Sequence, residues 1–283
     1  MDKKYNVNEH GFAHLVAIVV IVLIAVVGFA GWRIYAAQQK DSDTNNTTDT
    51  SNATPDTTPG EVTWSYENDV WKASGTPPAC PSPLLQTPTD LSTATAILYP
   101  GQTRGIYKAH GGVIYRNNTS NAVDVKVAID SKLVRVARYI QTGQVQYMLD
   151  FVSPCGVAIR YDHLHTLTKP FMDIMNKLPE PKVNDSTTTD IQGDTYKAGT
   201  LIATKIGFLA PDQNTTLDFG VYDYRQPNDA SKDPTYAAAH ATGKHVDYYA
   251  TCWLNDLPAK DKALALALPG GDGKAGKTSD YCK

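Results

Sequence analysis

The sequence has no Gly-x-Ser-x-Gly elbow and no dinucleotide-binding fingerprint, so the common signatures of serine hydrolases and nicotinamide enzymes are missing. It has no Cys-x-x-Cys pair, and its four cysteines stand too far apart for a zinc finger. It has no basic excess either. Against 29 Asp and Glu there are 26 Lys and Arg, a net charge of −3, which gives no concentrated basic face for nucleic acid. No internal repeat of solenoid or propeller type is visible. Phenylalanine is scarce, with 6 residues against 16 tyrosines, which suits a sheet protein with a wet surface. The 283 residues are enough for one or two domains with real cores.

What the sequence does have is one long apolar run. From Phe12 to Trp32 it carries no formally charged side chain. Roughly 20 apolar residues are what a helix needs to cross the hydrocarbon layer, and the run has no small-residue exit typical of a cleaved secretory signal. A transmembrane helix over 12–35 is expected, behind a short cytoplasmic leader, 1–11. Lys3 and Lys4 before the run balance Arg33 and Lys40 after it, so the positive-inside count is a tie. The cysteines break the tie. Cys80, Cys155, Cys252 and Cys282 all follow the run, as expected for two disulfides in an oxidising space. This orientation puts a single-pass chain in the cell membrane with its globular part extracytoplasmic. Three pairings are open; the one expected is Cys252 with Cys282, closing the tail, and Cys80 with Cys155.

"NEHGFAHLVAIVVIVLIAVVGFAGW" resembles the leader and first helix of type IV pilins. Gly11 and Phe12 match the family's cleavage junction, while Val16 stands where those proteins carry an acidic residue. The resemblance implies a minor subunit of a surface filament or secretion system, as an alternative to a plain membrane anchor.

After the span, residues 41–60 hold seven threonines, two prolines and no large apolar side chain. Such a stretch cannot bury enough surface to offset its ordering entropy, so 36–62 is expected to be a disordered stalk. From Trp64 the pattern becomes short strands. "AVDVKVAID" alternates, with Val123, Val125, Val127 and Ile129 on one face. Further strands are expected at 132–140, 144–152, 156–167, 200–208 and 216–225. "PFMDIMNKL" has Phe171, Ile174, Met175 and Leu178 at helical spacing, and a long loop should follow it. Near the end Asp256 can cap a helix opening at Pro258 and stopped by Pro269. "GKAGKT" echoes a phosphate loop but lacks the strand before and the helix after, so it reads as a disulfide-pinned surface loop. Tyr222, Tyr224, Tyr248 and Tyr249 read either as half-exposed packing or as an aromatic shelf for glycan. The expected architecture is mainly β: a sandwich or barrel over 63–228 with a short inserted helix, then a helical, disulfide-closed extension over 229–283.

Residues 100–225 carry five motifs in order: "YKAHGGVIY", "AIDSKLV", "RYDHLHTL", "YKAGTLIATKIG" and "TLDFGVYD". In this they resemble the β domain of lysostaphin-type zinc peptidases, which cut peptidoglycan cross-bridges on the fold called the duplicated hybrid motif. The resemblance implies a β-sandwich or barrel of that type. It also implies a site. His110 stands at the first zinc-ligand position and Asp218 at the third, where the family has histidine. Ile114 stands where the family has a ligating aspartate, and its side chain has no lone pair to offer. Of the family's two further catalytic histidines, His163 is kept and the other is Thr216. Losing both a ligand and a catalytic histidine removes most of the rate when the roles act as a unit.

The expectation is therefore a catalytically degenerate peptidase domain, with no catalytic residues, no bound metal and no cofactor. Its groove, formed by His110, Tyr161, His163, His165 and Asp218, would bind cell-wall peptide or glycan, or an envelope protein. The alternative enzyme is a zinc endopeptidase with a rearranged site of His110, His163, His165 and Asp218. Mass spectrometry of membrane fractions tests the N-terminal reading. A plain anchor keeps Met1, whereas a chain starting at Phe12 supports the pilin-like alternative.

Overall fold

Alternation decides the sheet. In the strand Ala122–Lys126, Val123 and Val125 are buried while Ala122, Asp124 and Lys126 are exposed, as a two-residue period demands when one face meets a core. The computed structural model describes residues 61–283, which belong to one compact unit. The expected leader, the span and all but the last two residues of the expected stalk lie outside the described residues, as do Gly11 and Phe12. No helix among the described residues is long and apolar enough to cross a membrane.

The domain is mainly β. It opens with a separate hairpin, β1 (Trp64–Glu67) and β2 (Val70–Ala73). Then come β3 (Ala96–Leu98), a second small hairpin of β4 (Gln102–Arg104) and β5 (Ile106–Lys108), and β6 (Gly111–Ile114). Next are β7 (Ala122–Lys126), β8 (Ser131–Gln141), β9 (Gln144–Val152) and β10 (Val157–Leu167). Helix α1 (Lys169–Met175) precedes the short β11 (Lys182–Val183), β12 (Thr189–Asp190) and β13 (Thr195–Tyr196). Strands β14 (Leu201–Ile206) and β15 (Thr216–Asp223) complete an eleven-stranded mixed sheet. Its main path runs β11-β8-β9-β10-β15-β6-β3, and β14 links β10 to β7. The β8–β9 turn is two residues long, with Thr142 and Gly143 both at positive φ. That is the mirror-image turn whose twist matches a hairpin.

Phe171 and Met175 of α1 are fully buried, and Ile174 and Leu178 pack beside them, as the helical spacing predicts. The stretch after α1 differs from expectation. Instead of an unpaired loop it makes three two-residue pairings along β8: β11 parallel, β12 and β13 antiparallel. The cause is the sheet edge, since β8 would otherwise present a row of unsatisfied backbone groups.

The tail is built into the same core. Trp253 and Leu254 are fully buried and Leu257 nearly so, within the cluster that holds Phe151, Phe219 and Ile159. Helices α2 (Pro234–Ala239) and α3 (Lys244–Asp247) lead to it, and α4 (Ala259–Ala267) follows. The cap of α4 is a correction. Asp256 lies in a 3-10 turn and Pro258 takes the N-cap position without a side-chain bond, because Leu257 between them is buried and extended. The glycine-rich stretch after Pro269 folds as turns, with Gly276 N–H donating to Asp272 O. The disulfides are Cys80–Cys155 and Cys252–Cys282, so the expected pairing stands. The second closes a 30-residue separation. Replacing both Cys252 and Cys282 by Ala should lower the unfolding free energy by roughly 3–4 kcal/mol on the chain-entropy account, as read by chemical denaturation.

Candidate functional site

The two glycines that open β6 are required by crowding. A Cβ on Gly111 would sit 2.3 Å from Leu98 O and 2.8 Å from Trp253 Nε1. One on Gly112 would sit 2.5 Å from Leu217 O. Strand β6 is thus squeezed between β3 and β15 at distances that no side chain survives. His110, just before it, lies over Gly220, where an added Cβ would approach His110 Cβ to 2.9 Å. The register then sets the opposing residues: Ile114 faces Thr216, and Gly112 faces Asp218.

All eight residues of β15 are buried. Leu217, Phe219 and Val221 join the main apolar cluster, so Asp218, Gly220 and Tyr222 fall on the opposite face. Strand β10, the neighbour of β15, brings His163 to the same place through a bulge. Tyr161 pairs with Leu149 and Leu164 with Tyr147, leaving one extra residue on β10, and His163 takes φ +59°. A positive φ outside glycine is strained. Here it is held by Asp162, whose Oδ1 accepts from His163 N–H at 2.8 Å and from Tyr139 O–H at 2.6 Å.

The result is a histidine–aspartate–histidine cluster. Asp218 Oδ2 lies 3.1 Å from His110 Nε2 and 3.6 Å from His163 Nε2. The three side chains are only 12–19% exposed. Arg104 donates to His110 O at 3.0 Å. Burial pushes the Asp218 carboxyl upward, but the charges of His110, His163 and Arg104, together with the His110 hydrogen bond, win, and its pKa falls well below the usual carboxylate range.

Three of the expected groove residues therefore meet: His110, His163 and Asp218. His165 does not join them. Its Nδ1 lies 3.0 Å from Thr166 Oγ1, and burial, with nearby Lys205, lowers its pKa. Tyr161 is fully buried, not groove-lining, and its hydroxyl oxygen accepts from Ala128 N–H. Thr216 is 6% exposed and donates to Asn214 Oδ1 at 2.6 Å. Asp162, Tyr139 and Arg104 were missed from the sequence; the only signal was that Asp162 adjoins His163. Tyr222, Tyr224 and Tyr249 are 2–6% exposed, packed under the hairpin and the tail.

Ile114 and Thr216 face each other across β6 and β15, and both imidazole Nε2 atoms address the same carboxylate oxygen. Among the described residues no group of three or more His, Cys, Asp or Glu side chains is disposed to hold a metal ion. No protein-family model, curated protein or solved structure matches this chain.

Asp218→Asn should lower the unfolding free energy by roughly 1.5–3 kcal/mol at pH 5, the range for hydrogen bonds to charged groups. A depressed carboxylate stabilises above its unfolded pKa of about 3.9, and that stability is lost as pH falls toward the folded value. The gap between wild type and variant should therefore narrow below about pH 4, as measured by urea denaturation across pH.

Proposed function

We propose that this chain is a membrane-anchored, extracytoplasmic recognition protein whose domain is a catalytically degenerate relative of the lysostaphin-type peptidases. In this reading the large sheet is a duplicated-hybrid-motif sandwich or barrel, and the region around His110, His163 and Asp218 binds cell-wall peptide or glycan, or an envelope protein. One observation carries the reading. Asp218 is engaged by two imidazoles, with a hydrocarbon and a hydroxyl placed in register where a peptidase needs a ligand and a base. The charged cluster is then a fixed polar feature, not a reaction centre. Strands β6, β10 and β15 bear the first, third and fifth motifs, and they are neighbours in the sheet, which supports the resemblance. The two disulfides suit an oxidising compartment.

The alternative of an active zinc endopeptidase keeps its interest through His110 and His163, whose ring nitrogens do converge on one carboxylate. The minor-pilin alternative rests on residues outside those described. Co-sedimentation of the full-length chain with purified peptidoglycan tests the binding reading. Retention is expected, reduced severalfold in His110→Ala, with no peptide released after zinc loading. Zinc-dependent release of peptides, abolished in His110→Ala, would establish the endopeptidase and remove the recognition reading.

A further inference from the structure

The hairpin β1–β2 pairs with no strand of the large sheet, and its two strands turn Trp64, Tyr66 and Trp71 inward. A two-stranded ribbon has little stability of its own, so these rings must fasten it to the domain. Trp71 stacks on Tyr224 with centroids 3.6 Å apart and planes 9° from parallel. Tyr66 tilts against Trp71 and Trp64 against Tyr224. Both indole N–H groups are committed to backbone carbonyls, Trp64 to Pro154 O and Trp71 to His245 O. The ring faces therefore offer only apolar contact to anything that enters.

Between the hairpin and strands β8 and β9 lies a groove of about 320 Å³, walled by Trp64, Tyr66, Trp71 and Tyr224. That volume falls within the range of small-molecule sites. Beside it, sharing Trp71, Arg135 and Tyr224, is a recess of about 10 Å³ that Tyr222 and Arg160 also line. Tyr222 is 94% buried, and its hydroxyl has no hydrogen-bond partner. Arg135 Nε is likewise buried without a hydrogen bond, although it lies 3.2 Å from Asp150 Oδ2. A buried donor left unpaired is costly, and the recess has room for about one small polar group. The unpartnered Tyr222 hydroxyl at this recess calls for an acceptor oxygen.

The charges around the groove are balanced. Lys132 pairs with Glu61 at 2.7 Å. Arg135 and Arg160 share Asp150, and Asp190 stands on the groove wall. Three cations thus stand beside three anions, and the groove and recess carry no net charge to favour a charged ligand.

We infer that the groove binds a neutral pyranose sugar carrying an exocyclic carbonyl, such as an N-acetylhexosamine. The flat C–H face of the ring packs on the aromatic wall, and the carbonyl oxygen accepts from Tyr222 O–H in the recess. This site involves other residues than the His110–Asp218 cluster and does not depend on the function proposed above.

Isothermal titration calorimetry of the full-length chain with N,N′-diacetylchitobiose tests it. Saturable binding is expected, with Kd at or below about 1 mM. Tyr222→Phe, which keeps the ring and removes only the hydroxyl, should weaken it about fivefold or more, and Trp64→Ala should weaken it further. Absence of saturable binding, binding unchanged by either substitution, or tighter binding of cellobiose, glucuronate or decanoate would overturn the inference.

Discussion

The domain is organised by the burial of one strand on both faces. Every residue of β15 is shielded from water, yet the strand alternates hydrocarbon with Asp218 and Tyr222. The hydrocarbon side is easily satisfied: Leu217, Phe219 and Val221 enter a core with Phe151, Tyr161 and Trp253. The other side is the demanding one, because a buried carboxylate must be paired. His110 and His163 are drawn to Asp218 for that reason. Gly220 leaves room for His110, and the bulge at His163 turns an imidazole inward at the cost of a strained φ.

The same demand runs across the neighbouring strands. Asp150 on β9 is 4% exposed and is matched by Arg135 on β8 and Arg160 on β10. Such a row of paired charges is poor ground for a second apolar layer. It is roofed instead by aromatic rings from the hairpin β1–β2 and by the tail, whose His245 and Val246 reach the recess. The polar face of the sheet thus carries both the charge cluster at His110 and the aromatic groove beside Trp71, while the opposite face supplies rigidity.

Much of the β pattern was legible. The strand 144–152 coincides with β9, the valines of β7 face inward as their alternation requires, and both disulfides join the expected partners. These features follow from local periodicity or from pairing four cysteines. The strapping of 182–196 onto β8 was not legible, because edge pairing depends on a distant strand and not on the loop's own residues. The start of α4 was misplaced because Leu257 answers to the core, not to the capping preference of Asp256. Of the expected groove, His110, His163 and Asp218 come together, whereas Tyr161 is taken by the core and His165 lies against Thr166.

That 63–228 would be a sheet-rich domain and 229–283 a disulfide-closed extension was legible in the sequence, since alternation, turn residues and cysteine number are properties of short stretches. Which polar groups meet is a property of the assembled sheet. The contact of Asp218 with two histidines spans 108 residues in one direction, and the hairpin rests on Tyr224, more than a hundred positions away in the chain. Contacts of that span depend on strand order and register, which no local pattern encodes.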